Sequence, residues 1–185
     1  MKQNIVYHAS PKQGLKLIIP KESTMQKKFV YAVKEKDLAA LFLGRWMGDF
    51  SCKIGRDKET GLPYICERFK GAFDKRYDRS ASIYWLDGGD FKEDQTMWKE
   101  EVVCDHKLTP IKEEKIANAK EYIIKLAKDK KLLLGLYPNK ICNILEDNSD
   151  LLKQIKKLKK SMSKEKVEDM LKAVKEYYPH LLERI

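Results

Sequence analysis

Glu101-Val102-Val103-Cys104-Asp105-His106-Lys107-Leu108-Thr109-Pro110 is where this chain changes character. Its first four residues read as a short strand, and Pro110 closes the extended region. From Ile111 to Lys128 the apolar residues Ile116, Ala119, Tyr122, Ile123, Leu126 and Ala127 fall at helical spacing. Leu151–Lys160 and Lys164–Tyr178 repeat that stripe on either side of Ser161-Met162-Ser163. After residue 105 the only other strand signal is the ambiguous Leu132-Leu133-Leu134.

Upstream of 105 the signals are mostly extended. Lys2 to Tyr7 alternates as a strand, Leu15–Ile19 is a short apolar run stopped by Pro20, and Phe29–Val33 is a second strand. Lys36–Trp46 has the apolar spacing of an amphipathic helix, carried to Met47, with Asp37 at its start. Asp49–Phe69 reads as two strands around Asp57-Lys58-Glu59-Thr60-Gly61, and Ser80–Leu86 as another. Strands first and helices afterwards predict an α+β fold rather than a doubly wound one. The expected units are residues 1–108, a mixed sheet domain, and residues 109–185, a helical extension packed on or beside it.

The 185 residues are 43% hydrophobic, enough for a real core. No apolar run reaches membrane-spanning length, and the N-terminus enters a strand directly, so a cytoplasmic protein without membrane attachment is expected. Cys52, Cys66, Cys104 and Cys142 lack zinc spacing and read as reduced thiols; His106 and His180 have no metal partners at useful spacing, so no metal is expected. Trp46, Trp85 and Trp98 read as core residues. Charge is uneven. Residues 1–105 hold 19 Lys+Arg against 16 Asp+Glu, and residues 106–185 hold 19 against 12. Lys153, Lys156, Lys157, Lys159 and Lys160 form either a solvated helix face or a surface for nucleic acid.

Three further motifs carry chemistry: Tyr7-His8-Ala9-Ser10, Phe29-Val30-Tyr31-Ala32 with Phe42 beyond it, and Glu100-Glu101-Val102-Val103. In this order they resemble the histidine–tyrosine–glutamate group of ADP-ribosyltransferases, the diphtheria-toxin type that includes the poly(ADP-ribose) polymerases. The resemblance covers residues 5–105 and implies a split mixed sheet that takes NAD as substrate. It implies that His8 orients a ribose by donating to its hydroxyl, that Ala9 and Ser10 hold the nicotinamide carboxamide, and that Tyr31 and Phe42 sandwich the ring. Glu101, with Glu100 as the other carboxylate, would stabilise the oxocarbenium-like transition state. Ala9 stands where the family commonly has glycine. The activity implied is transfer of ADP-ribose to a protein or nucleic-acid acceptor with release of nicotinamide. The alternatives are a non-catalytic module binding NAD or ADP-ribose, and a basic nucleic-acid-binding protein. A Rossmann or P-loop site is excluded by the lack of a glycine-rich phosphate loop.

Overall fold

The computed structural model describes residues 4–22, 27–45, 50–96, 98–139, 141–142, 144, 146–161 and 164–185. The described residues form two sheets, three shorter helices and a C-terminal helical pair. Strands β1 (Ile5–Ser10), β2 (Lys21–Glu22), β3 (Lys28–Val33), β6 (Ala81–Asp87), β7 (Glu101–Cys104) and β8 (Lys112–Ile116) form the larger sheet in the order β2-β3-β1-β6-β8. β7 lies beside β3, on the edge that β2 occupies further along. β4 (Cys52–Arg56), β5 (Pro63–Glu67) and β9 (Leu133–Gly135) form the smaller one. The helices are α1 (Lys36–Ala39), α2 (Ala72–Tyr77), α3 (Ala119–Lys128), α4 (Asp150–Ser161) and α5 (Lys164–Tyr177).

The fold is α+β, as the order of sequence signals requires, with two corrections. The larger sheet is antiparallel throughout, so the expected mixing is confined to the smaller sheet, where β9 runs parallel to β5. Extended structure also continues past residue 108. Lys112–Ile116, expected as the first turns of a helix, pairs with β6 as an edge strand, and the helix begins only at Ala119. Asn118 caps that start, its side chain accepting from the Glu121 N–H. Ile116, expected to bury a helix face, is therefore buried from a strand. The expected helix from Lys36 is one α-turn and a 3₁₀ turn, Ala40–Phe42; Trp46 and Met47 lie outside the described residues. The α2 helix, entered through Gly71 at φ 83°, was not foreseen.

Strand alternation sorts the side chains of the larger sheet into two cores. Val33 and Ile83 face one way, onto α1, α2, α3 and the smaller sheet, with Leu41, Phe73, Tyr77 and Ile123 between the layers. Val6, Val30, Ala32, Tyr84, Leu86 and Val102 face the other way, under Leu15, Ile18, Phe91 and Leu108. Two fully buried tyrosines direct their hydroxyls at acceptors, Tyr77 at the Leu41 carbonyl (2.9 Å) and Tyr84 between the Lys12 carbonyl (2.8 Å) and the Glu113 carboxylate (3.0 Å), which share its one proton. A third core joins α4, α5 and the closing 3₁₀ turn (Pro179–Arg184) through Leu151, Ile155, Val174, Tyr178 and Leu181, with Phe50 from the sheet region. The outer face of α4 leaves Lys153, Lys156, Lys157, Lys159 and Lys160 exposed. Among the described residues, no helix is long and apolar enough to cross a membrane.

Candidate functional site

The two central strands part company at one point. β1 and β6 pair over six residues, but β1 and β3 share a single partner pair, Tyr7 opposite Val33. Beyond it the His8 ring reaches across the gap, its Nδ1 2.7 Å from the Tyr31 carbonyl oxygen. A carbonyl can only accept, so Nδ1 carries the proton. Burial lowers the His8 pKa, and the Lys21 charge adds to it, against the opposing pull of the Tyr31 carbonyl. The ring is therefore neutral at neutral pH and Nε2 is an acceptor. The expected donor role is therefore not open to the ring: its one N–H is taken by the Tyr31 carbonyl, and Nε2 can only accept.

A pocket of about 270 Å³ opens in this split. His8, Ser10 and Tyr31 line it with Lys12, Lys21 and Ile18. Ser10 is buried, and its Oγ accepts from the Lys12 N–H at 3.1 Å. The wall formed by residues 12–15 is fastened by Glu113, which accepts from the Gly14 N–H (2.8 Å), the Ser82 hydroxyl (2.7 Å) and the Tyr84 hydroxyl (3.0 Å). These bonds, the Gly14 one foremost, hold the Glu113 carboxyl below its usual range. Sequence reading missed Glu113 because it sits in the strand taken for a helix. It passed over Lys12 and Lys21 as well, whose only signal was their nearness to the His8 motif.

Strand register places the remaining expected residues elsewhere. Glu101 lies opposite Val33, which itself lies opposite Tyr7, so Glu101 shares the Val33 face and not that of His8. There it is half-buried; burial raises its pKa, against a hydrogen bond from the Thr96 hydroxyl. Glu100 does not replace it, because Arg56 of β4 holds its two oxygens at 2.9 and 3.1 Å. Phe42 packs on the same side as Glu101, its ring 5.3 Å from that of Trp98. Tyr31 gives its carbonyl to His8, while alternation turns its ring to the Val33 face, where it meets Phe29 edge-on at 6.0 Å. Each member of the expected sandwich thus already has an aromatic neighbour. Ala9 faces that core too. The structure brings His8, Ser10 and the Tyr31 backbone together and sets Glu101, Phe42 and the Tyr31 ring across the sheet.

At the end of β7, Cys104, Asp105 and His106 bring potential metal-ligand atoms within 4.8 Å of one another, an arrangement the histidine spacing did not reveal. Lys92 also lies 3.3 Å from the Asp105 carboxylate there. Comparison with family models, curated proteins and solved structures finds no match to this chain.

Proposed function

We propose that the protein binds NAD or its ADP-ribose portion in the split between β1 and β3, as a module of ADP-ribosyltransferase-like build. The observation that carries this reading is the His8 ring, held neutral with Nδ1–H on the Tyr31 carbonyl beside the buried Ser10. A bare Nε2 and a serine hydroxyl are complementary to a ribose hydroxyl and a carboxamide. Lys12 and Lys21 border the same pocket with charge suited to a pyrophosphate. At about 270 Å³ the pocket falls just under the ~300–1,000 Å³ of typical ligand sites, so it accommodates one nucleoside half and leaves the other along the surface.

Catalysis needs a carboxylate at the sugar, and the placement of Glu100 and Glu101 favours binding without cleavage. A second reading, transfer of ADP-ribose to a protein or nucleic-acid acceptor, draws on Glu101, Phe42 and the Tyr31 ring sharing the opposite face. Calorimetry with NAD, ADP-ribose and nicotinamide, beside a nicotinamide-release assay with candidate acceptors, separates the two. Binding without release is expected. Release that is lost in Glu101→Gln would establish the transferase instead, and failure to bind any of the three ligands would overturn both.

A further inference from the structure

The segment that leaves β7 is pinned at both ends. Cys104 lies opposite Val30 of β3, and two backbone hydrogen bonds of 2.8 and 3.0 Å tie Leu108 to Ile18. Lys92 exchanges two more with Val103, which lays the turn carrying Asp90 beside the same segment. Between these fixed points the His106 ring stands against the Cys104 sulfur, Nδ1 at 3.3 Å and Nε2 at 3.5 Å. Each ring nitrogen also has a carboxylate oxygen at 3.3 Å, Asp105 Oδ1 on Nδ1 and Asp90 Oδ2 on Nε2. Cys104 is only 1% exposed, whereas the His106 and Asp105 side chains are 50% and 58% exposed. The cover on the sulfur therefore includes a surface side chain that can turn aside.

We propose that Cys104, Asp105 and His106 bind a zinc ion through the Cys104 sulfur, the Asp105 Oδ1 and the His106 Nδ1. With Zn–S near 2.3 Å and Zn–N and Zn–O near 2.0–2.1 Å, neighbouring ligand atoms of a tetrahedral site stand roughly 3.4–3.6 Å apart. The sulfur–Nδ1 and Nδ1–Oδ1 separations, both 3.3 Å, are already within a few tenths of an ångström of that spacing. The third edge closes through the exposed Asp105 side chain, and the fourth position faces solvent. Thiolate, imidazole and carboxylate together suit zinc, and a thiolate disfavours magnesium and calcium. Asp90 is placed to take the Nε2 proton, which leaves Nδ1 bare for the ion. On binding, the Cys104 thiol gives its proton to solvent. Lys92, 3.3 Å from Asp105 Oδ2, acts against the ion as a like charge, weakened by solvent at 66% exposure. The site uses none of the residues on which the NAD reading rests.

The full-length reduced protein is titrated with cobalt(II) chloride, whose absorption reports its ligands, and then with zinc chloride. The expected result is a saturable thiolate-to-cobalt charge-transfer band with the intense visible bands of a tetrahedral ion, both displaced by zinc. Zinc should also raise Tm, and a chelator should reverse the rise. Asp90→Ala should weaken cobalt binding roughly 10–100-fold while keeping the charge-transfer band, as loss of an outer partner does, and His106→Ala should weaken it further. Lys92→Met should tighten binding several-fold. Cys104→Ser should abolish the charge-transfer band, with circular dichroism checking that this buried site still folds. If that variant does not fold, His106→Ala decides alone, since its side chain is exposed. A cobalt spectrum without the charge-transfer band would overturn the proposal. So would a band that survives in folded Cys104→Ser or is undiminished in His106→Ala, because another cysteine would then supply the sulfur. Binding that is unchanged or weaker in Lys92→Met would place the ion away from Asp105 and overturn the three-ligand site.

Discussion

With its Nδ1–H committed to the Tyr31 carbonyl, the His8 ring offers Nε2 as an acceptor only while it stays neutral. Its folded-state pKa lies below the ordinary 6.5, so the unfolded chain takes up a proton first as pH falls. Stability from this residue is therefore full above about 6.5 and drains away as pH drops toward the lowered value. NAD affinity should follow, constant from pH 7 to 8 and decreasing below the His8 pKa, and calorimetry across that range checks it. Affinity that rises on acidification would show that His8 acts as a charged donor. Glu101 carries the opposite sign. Its folded pKa is raised above 4.5, so its contribution is full below that value and is lost as pH rises through the folded pKa. Glu101→Gln should thus raise Tm at pH 7, leave it unchanged below pH 4.5, and leave NAD affinity intact. A drop in Tm at pH 7 would mean that the carboxylate is paired in a way the Thr96 contact does not describe.

β8 carries the widest gap between what the residues announce and what they form. Lys112-Glu113-Glu114-Lys115-Ile116 has the composition of an exposed helix, yet three of its four charges find strand-side roles. Lys112 sits over the Trp85 ring at 4.9 Å, Glu114 pairs with Lys36, and Glu113 turns inward to Ser82 and Tyr84. Charged residues are what an edge strand uses to discourage pairing with other chains, and on composition alone that device is indistinguishable from a solvated helix. Strands with hydrophobic faces, β3, β6 and β7, were legible almost to the residue. His8 and Ser10 share a face because β1 runs on to Ser10, past the Tyr7 end that the sequence pattern gives it, and period two then fixes their side. The side on which Glu101 falls depends on the register of β7 against β3, which no local pattern encodes. The strand's burden can be measured. Glu113→Ala removes the acceptor that ties Gly14, in the wall of residues 12–15, to Ser82 and Tyr84 of β6, so NAD affinity should fall several-fold and Tm should drop. The Tm difference should shrink as pH falls below about 4.5, because Glu113 stabilises the fold as a carboxylate. Unchanged affinity would show that the wall orders without it.

At the scale of the molecule, the helical pair is tied to the sheets by few but specific contacts. Arg68, whose side chain is only 2% exposed, holds Asp150 at the start of α4 through two hydrogen bonds of 3.1 and 2.8 Å, and also reaches Asn148. The Tyr178 hydroxyl donates to the Phe50 carbonyl, and Phe69 stacks on Tyr177 at 4.8 Å. None of these was readable from hydrophobic stripes, which reported that α4 and α5 had buried faces but not against what. Asp150→Ala leaves the Arg68 guanidinium buried without its carboxylate. The cost should be on the order of 2–3 kcal/mol, below the ~3–5 of a fully buried pair because the Asp150 side chain is 23% exposed. Because the core of α4 and α5 draws Phe50 from the sheet region, wild-type unfolding in urea should be one transition, with tryptophan fluorescence and helical circular dichroism superimposed. Trp85 and Trp98 pack beside the sheet core, whereas α4 and α5 supply much of the helical signal. In Asp150→Ala the helical signal should therefore decay at lower urea than the fluorescence. If the two probes remain coincident in the variant with an unshifted midpoint, Arg68 and Asp150 do not couple the helices to the sheets, and the apolar contacts of Phe50 and Phe69 do so alone.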